Sequence, residues 1–495
     1  MAAFPSADLV RRALSGHAAV GLLAGGLIYL LALSGTMIVV HEEWQRWEQP
    51  NIAEMEAIDP AAVQRAARQV LASENGKPLT EHFYVHLPTD ALPRTVITTD
   101  NQAVYIDADG NVAGPEAHAW TEFLIGLHYY LHLPSTLGLT VVGALGVMLA
   151  ALVVGGVLAH PRIFRDAFRL RARGQRQLAF ADWHNRLGVW TLPFSLASAI
   201  TGALIGLATV LAFAMASIYY NGDMEAVFAP VFGAEPAHNE RAAPLANIEA
   251  ALRHMAAAHP EVRPTYVILH EPATAGQYLQ ILADHPRRLI FGEYYTFDSD
   301  GHFQGTTGLA DGTLGQQLAA SVYKLHFGSF GGLPVKLAYM VFGLALMVMT
   351  GTGVWIWLIK RRQRGRASPR LEAAWVATLW GAPALLVLTY DYRALAGPEA
   401  QMTALFWGGL AMMIGCSAAI GNAAASARWL RAALGGLLCL TALWHLATLD
   451  APMPAMITMD ALLVLTGIGM IACGRLPRGG SKPVGISPLL DQSAE

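Results

Sequence analysis

Cysteine is almost absent from the chain. Its three copies, Cys416, Cys439 and Cys473, each sit inside an apolar run and form no CxxC pair. That excludes a disulfide framework and leaves small apolar filler as their reading. Charge is scarce as well. Asp, Glu, Lys and Arg make up 14% of 495 residues against 54% hydrophobic ones, and the mean hydropathy is +0.38. A soluble chain carries about a quarter charged residues, so the deficit excludes an ordinary soluble protein. No GxGxxG opens a helix after a strand, and no Walker A, HExxH or nucleophile elbow occurs. No nucleic-acid partner is expected, and the net charge of -3 is uninformative because the charges are segregated along the chain.

What the chain has is long apolar runs. A bilayer core needs about 20 apolar residues per helix. Candidate spans cover about 18–40, 137–159, 187–218, 334–359, 373–389, 402–421, 430–449 and 455–473. Arg11 and Arg12 precede the first. Arg162, Arg165, Arg169, Arg171, Arg173, Arg176 and Arg186 lie between the second and third. Lys360, Arg361, Arg362, Arg364, Arg366 and Arg370 follow the fourth. Arg428 and Arg431 separate the sixth and seventh, and Arg475, Arg478 and Lys482 follow the eighth. With eight alternating helices every cluster falls on one side, which the positive-inside rule makes the cytoplasm. Both termini are then cytoplasmic. The first run is too long for a signal-peptide core and lacks a small-residue cleavage site, so it reads as a retained anchor.

Two long segments remain on the other side, and they resemble each other. AAVQRAARQVLA and ANIEAALRHMAAAHP each read as an amphipathic helix. HFYVHLP, TVITTD and AVYIDADGNVAG then match TYVILHEP, YLQILAD and EYYTFDSDGHFQG as alternating strands. Asp109-Gly110 and Asp300-Gly301 read as hairpin turns rather than calcium loops, because no terminal glutamate stands at EF-hand spacing. The expected fold is an α-helical integral membrane protein of about eight transmembrane helices with two small α+β outer domains. The segments are 1–41, 42–127 (first outer domain), 128–218, 219–325 (second outer domain), 326–366, and a four-helix extension over 373–474.

Histidines gather at the membrane edges. His17, His160 and His184 fall on the cytoplasmic side; His41, His128, His132 and His326 fall on the outer side. Neutral imidazole is a good axial ligand for haem iron, and a b-type haem takes two. Each side has candidates on different helices. The bland alternative is that interfacial histidines only reach water. Gly21 and Gly25 form a GxxxG whose reading as plain helix packing is at least as good as a functional one.

Four stretches, SGHAAVGLLAGGLIYLLALSGTMIVVHEE, LHYYLHLPSTLGLTVVGALGVMLAALVVGGVL, DWHNRLGVWTLPFSLASAITG and LHFGSFGGLPVKLAYMVFGLALMVMTGTGVWIW, resemble the PepSY-associated transmembrane family over about residues 10–366. Members are bacterial inner-membrane proteins, and the best understood are di-haem reductases of ferric siderophores. The resemblance implies PepSY-like outer domains in the periplasm. It also implies two b-type haems, with His17, His128, His184 and His326 as motif ligands. Sidedness then pairs His17 with His184, on helices one and three, and His128 with His326, on helices two and four. His160, His41 and His132 are alternates. The implied substrate is a ferric siderophore or other ferric chelate. The electron donor is a separate reductase, a carrier or quinol. A redox-inert module that binds a periplasmic partner, or an iron or haem transporter, is the alternative; an anchor needs no edge histidines, and no paired intramembrane carboxylates suit a permease.

The extension departs from the family pattern. Its His445 reads as a packed histidine, its tryptophans as interfacial, and Asp391, Asp450 and Asp460 as helix-end residues. Tyr219, Tyr220, Tyr294, Tyr295 and Tyr323 read as interfacial anchors, or else as residues flanking a substrate.

Overall fold

The computed structural model describes residues 6–160, 162–166, 168, 176–232, 238–449 and 453–475; Arg169, Arg171, Arg173, Arg478, Lys482 and Asp450 lie outside them. Helix α1 (Ala7–Ile38) leads into α2 (His41–Glu48) and α3 (Pro60–Ser73). Strands β1 (His82–His86), β2 (Thr95–Thr99), β3 (Ala103–Ile106) and β4 (Val112–Pro115) follow, then α4 (Ala119–Tyr130) and α5 (Ser135–Ala159). Next come α6 (Ile163–Asp166), α7 (Arg176–Trp190), α8 (Leu192–Gly206), α9 (Ala208–Tyr219) and α10 (Glu225–Phe232). The second repeat holds α11 (Ile248–Ala258) and strands β5 (Arg263–His270), β6 (Tyr278–Asp284), β7 (Glu293–Phe297) and β8 (Phe303–Thr306). Helices α12 (Leu314–Phe327), α13 (Gly332–Gln363), α14 (Pro369–Ala396), α15 (Met402–Ile420), α16 (Ala423–Thr448) and α17 (Pro454–Arg475) complete the chain.

The two repeats are not separate domains. They are halves of one eight-stranded sheet, ordered β4-β3-β2-β1-β5-β6-β7-β8. Strand β1 pairs antiparallel with β5, with Phe83 opposite Leu269 and Val85 opposite Val267. Joining two four-stranded sheets pairs the edge N–H and C=O groups of β1 and β5 and leaves only β4 and β8 as edges. Alternation places Phe83, Ile97, Val267 and Ile281 on one face, where Val63 and Val70 of α3 and Ile248 and Met255 of α11 cover them. Tyr295 also lies in this core, 5% exposed, so it is not an interfacial anchor. The Asp-Gly turns are hairpin turns. Asp107 accepts the N–H groups of Asp109 and Asn111 at 3.0 and 2.8 Å, Asp298 does the same for Asp300 and His302, and Gly110 and Gly301 have φ near +84° and +85°.

Seven helices are long and apolar enough to cross a membrane, and a bent pair raises the number to eight, so the chain is a multi-pass membrane protein. The bent pair corrects one expectation. Residues 187–218 are not one span: α7 and α8 meet at a 70° bend, and α9 follows after a further break. Pro193, in the first turn of α8, supplies no N–H to continue the ladder from α7. Arg186 is likewise not a solvated loop charge. It lies on α7 with its side chain 3% exposed, 3.3 Å from the Asp182 carboxylate. Helix α1 packs against α5 and α13, α5 against α8, and α13 against α7. Helices α14 to α17 form a second bundle, which reaches the first mainly through α14 against α4 and α1.

Candidate functional site

Two pairs of histidines meet between helices of the first bundle. His17 of α1 faces His184 of α7, with ring centroids 6.1 Å apart. His128 of α4 faces His326 of α12, also at 6.1 Å. The second pair sits at the end of the bundle near the sheet, beside Leu31 and Ser34 of α1. At a rise of about 1.5 Å per residue, the stretch of α1 from His17 to Ser34 separates the two levels by about 25 Å. Helices α5 and α13 do not themselves carry His128 and His326, contrary to the placement on helices two and four. Each of these histidines ends a short preceding helix. Leu131, with φ of 52°, closes α4 in a left-handed cap, and Gly328, with φ of 67°, closes α12.

Hydrogen bonding fixes the tautomer of every member. Nδ1 of His17 lies 2.9 Å from the Leu152 carbonyl, and Nδ1 of His184 lies 2.9 Å from that of Met349. Nδ1 of His128 meets the Leu31 carbonyl at 3.1 Å and Ser34 Oγ at 3.2 Å. Nδ1 of His326 meets Thr201 Oγ1 at 3.0 Å. The Ser34 and Thr201 hydroxyls already donate to the carbonyls of Leu30 and Ala197 in their own helices. They therefore accept from the imidazole, as a carbonyl must. Nδ1 carries the proton in each ring, and Nε2 keeps a lone pair. A carbonyl that accepts Nδ1–H fixes the ring orientation and leaves Nε2 as the nitrogen able to ligate a metal.

Each ring also lies against a glycine of another helix. A Cβ on Gly35 would stand 2.7 Å from Cε1 of His128, and one on Gly202 would stand 2.8 Å from that of His326. On Gly353 it would stand 3.1 Å from His184, and on Gly156 3.3 Å from His17. Sequence reading missed these partners, although a signal was present. Three of the notches are Ser/Thr-Gly steps, Ser34-Gly35, Thr201-Gly202 and Thr352-Gly353, in which one residue accepts from a histidine and the next makes room for it. Gly21 and Gly25 behave as ordinary packing residues against Leu152 and Val354.

The alternates do not form pairs. His41, at the start of α2, turns Nδ1 to the carbonyl of Ile38 at the end of α1. His132 stacks on Phe123 at 4.5 Å, and its buried Nε2 has no partner. His160 caps α5. His445 is packed, as expected. Nδ1 lies 2.8 Å from Asp460 Oδ2, and Nε2 lies 2.9 Å from the backbone oxygen of Trp47. Both nitrogens face acceptors, so neither is available as a ligand. Asp460 lies near the start of α17, as its helix-end reading expects. It is fully buried on α17 and also accepts from Trp47 Nε1 at 2.9 Å.

The two pairs fit an iron porphyrin in donor chemistry. Two imidazoles on different helices, with ring centroids 6.1 Å apart in each pair and Nδ1 committed to an oxygen, are the donor type that would hold a b-type haem.

Comparison with known proteins agrees with the architecture of the first bundle. The chain is 28% identical over 297 residues to uncharacterized protein PA4219 of Pseudomonas aeruginosa, a match covering 56% of this chain and 75% of that one. The family model described as the PepSY-associated TM region matches residues 14–360, which run from α1 almost to the end of α13 and contain all four paired histidines. With that match spanning well over half its length, the chain belongs to the PepSY-associated transmembrane family.

Proposed function

We propose that the protein is a b-type di-haem oxidoreductase of the bacterial inner membrane that reduces a ferric siderophore or other ferric chelate in the periplasm and releases ferrous iron. The observation that carries this reading is the two-level arrangement of paired histidines, each with Nδ1–H committed and Nε2 bare. A haem held by each pair supplies one-electron exchange. His17 and His184 hold the ligand set on the cytoplasmic side, where a reductase, carrier or quinol donates. His128 and His326 hold the periplasmic set. The backbone carbonyls and the Ser34 and Thr201 hydroxyls keep each ring in the ligating tautomer and orientation. The apolar helices between the levels exclude water and set a low dielectric around both. Each ferric ion takes one electron, and its chelate loosens because ferrous iron is the less charged, softer ion. Sidedness rests on the basic clusters, Lys360 to Arg362 at the end of α13 among them, which put both termini in the cytoplasm.

A reduced-minus-oxidised visible spectrum of the purified chain tests this. A b-type signature with about two haems per chain is expected. His184→Ala and His128→Ala should each remove about half of it, leaving spectrally distinct remainders. A chain from haem-replete cells with no Soret band ends the proposal in favour of a redox-inert module or a transporter.

A further inference from the structure

Arg94 immediately precedes β2 and is fully buried. Its Nε, Nη1 and Nη2 have no hydrogen-bond partner among the described residues, and neither has the hydroxyl of Tyr105 on β3. Val104 and Ile106 turn to the core under α3 and α11, so alternation turns Tyr105 to the other face of the sheet. There the guanidinium carbon of Arg94 lies 5.6 Å from the centre of the Tyr105 ring. The segment between α2 and α3 closes over this place. Met55 donates its N–H to the Pro93 carbonyl at 2.7 Å, and Thr95 Oγ1 lies 3.6 Å from Met55 Sδ. Leu92, Thr95 and Val96 beside Arg94 are buried too. A guanidinium cut off from water normally meets a carboxylate in a forked pair, because it carries five N–H donors and a charge.

No carboxylate takes that part. Glu54, on the closing segment, turns to Arg46 of α2 and accepts from its Nε and Nη2 at 2.7 and 2.9 Å. Its Oε1 stands 3.8 Å from Arg94 Nη2, beyond hydrogen-bond distance. Two guanidinium groups therefore share one carboxylate, which leaves one positive charge in excess. The acids within electrostatic reach of Tyr105 are Glu116 and Glu48. Glu116 is held by His118 Nε2 at 2.7 Å. Glu48 accepts the N–H groups of Trp120 and Thr121, at 2.8 and 2.9 Å, at the start of α4. Neither is hydrogen-bonded to Arg94.

Two properties select what completes the group. The unmet atoms of Arg94 are donors only, and the Tyr105 hydroxyl is able to donate beside them. A water brings hydrogens of its own, which need acceptors in turn. The acceptors here are committed, Glu54 to Arg46 and Glu48 to the start of α4. A bare anion only accepts, so it matches a set of donors. The excess charge is a single positive one, so a monovalent anion balances it, and a buried charge is tolerated only when balanced. The neighbours of Arg94 are buried, so the occupant is small.

We propose that Arg94 and Tyr105 hold a buried monovalent anion of chloride size at the joint between the sheet and the α2 segment. The site stands apart from the histidine pairs and does not depend on the haem reading. Thermal unfolding of the purified full chain in sodium gluconate and in sodium chloride, at one ionic strength, keeps screening constant. Gluconate is too large to enter. Chloride at about 100 mM should raise the melting temperature by about 2–5 °C, as a ligand of the folded state does, and bromide should match it. Arg94→Met removes the donors and the excess charge together, and leaves Glu54 with Arg46. It should melt alike in all three salts, and in gluconate no lower than the parent chain, because an apolar side chain replaces an unmet buried charge. Tyr105→Phe should keep the fold and lose part of the halide response. A crystal grown in bromide should show an anomalous peak within hydrogen-bond reach of the Arg94 guanidinium. Equal melting of the parent chain in gluconate and chloride overturns the proposal, as does a bromide crystal with no peak there; water then fills the gap. A halide shift of full size in Arg94→Met places the anion elsewhere and overturns it as well. Should Arg94→Met not fold, the bromide peak and Tyr105→Phe decide.

Discussion

The two membrane bundles both hold histidine between helices, half-buried in the first and buried in the second, and they treat it in opposite ways. In the first bundle His17, His128, His184 and His326 each give Nδ1–H to an oxygen, with another imidazole 6.1 Å away in each pair. In the second, His445 spends both nitrogens, on Asp460 and on the Trp47 carbonyl, and stacks on the Trp47 ring at 4.2 Å. The nitrogen that meets the Trp47 carbonyl carries a proton, and the other is held against the Asp460 carboxyl group. The difference teaches that burial alone does not mark a ligand. On the di-haem reading, what marks one is a half-satisfied ring with a second half-satisfied ring beside it. His445 instead clamps α2 of the first bundle to α16 and α17, and so ties the extension to the matched family region.

Asp460→Ala breaks that comparison most forcefully on the stability side. It leaves the buried His445 Nδ1 and Trp47 Nε1–H without their shared partner, and each unmet buried group costs about 1–3 kcal/mol. A large drop in the melting temperature of the detergent-solubilised chain is expected, with haem per folded chain unchanged below the transition. A fall in haem at low temperature, with the fold intact, would put the His445 cluster into the cofactor machinery and erase the distinction. Gly35→Val attacks the other side. Its side chain meets Cε1 of His128 where a Cβ already stands at 2.7 Å. Overpacking of this kind costs about 1–3 kcal/mol, and the upper pair should lose its haem while the lower one keeps it. Gly156→Ala, with 3.3 Å available, should do much less to His17.

The fold was largely legible because two periodicities carry it. All eight strands fall where alternation and the Asp-Gly turns put them, and the apolar runs of α1, α5 and α13 to α17 fall close to their expected bounds. Composition had no means of showing that β1 and β5 pair, since the edge of a sheet is a matter of backbone hydrogen bonds and not of side-chain pattern. It also hid the bend at Thr191, because the apolar run continues from Leu187 through α8 and α9 and only Pro193 marks the break. The histidine pairs were reached by sidedness and family motif, and the structure brings the same residues together. Their glycine and hydroxyl partners were missed because each is distant in sequence from the ring it serves; Ser34 and His128 share no local pattern.

His132 offers a sharper test of the pairing rule than any ligand does. Its Nε2 is buried without a partner, as a ligand's would be, but the ring opposite is Phe123 rather than an imidazole. His132→Phe removes the unsatisfied nitrogen and keeps the stacked ring. Stability should hold or rise by up to about 1 kcal/mol, since an unmet buried acceptor is a cost, and haem content should not change. Loss of half the haem would show that the upper site uses His132 and that a facing imidazole is not the criterion.

The smallest expected effect separates ligation from tuning within the first bundle. Thr201→Val is nearly isosteric and removes the hydroxyl that accepts from His326 Nδ1 at 3.0 Å. Thr352→Val removes one from His184 at 3.4 Å, where the Met349 carbonyl at 2.9 Å already holds the proton. Each change costs about 1 kcal/mol or less in stability, and neither takes away a ligand. A hydrogen bond from Nδ1–H makes the imidazole more basic and favours the ferric ion, so losing it should raise the midpoint potential of the site it serves. Redox titration should therefore show a positive shift confined to the upper site for Thr201→Val and a smaller one, confined to the lower site, for Thr352→Val. If both variants shift both sites together, the hydroxyls act through helix packing. If Thr352→Val shifts its site more, the longer contact is the stronger one, and the ranking of acceptors by distance fails.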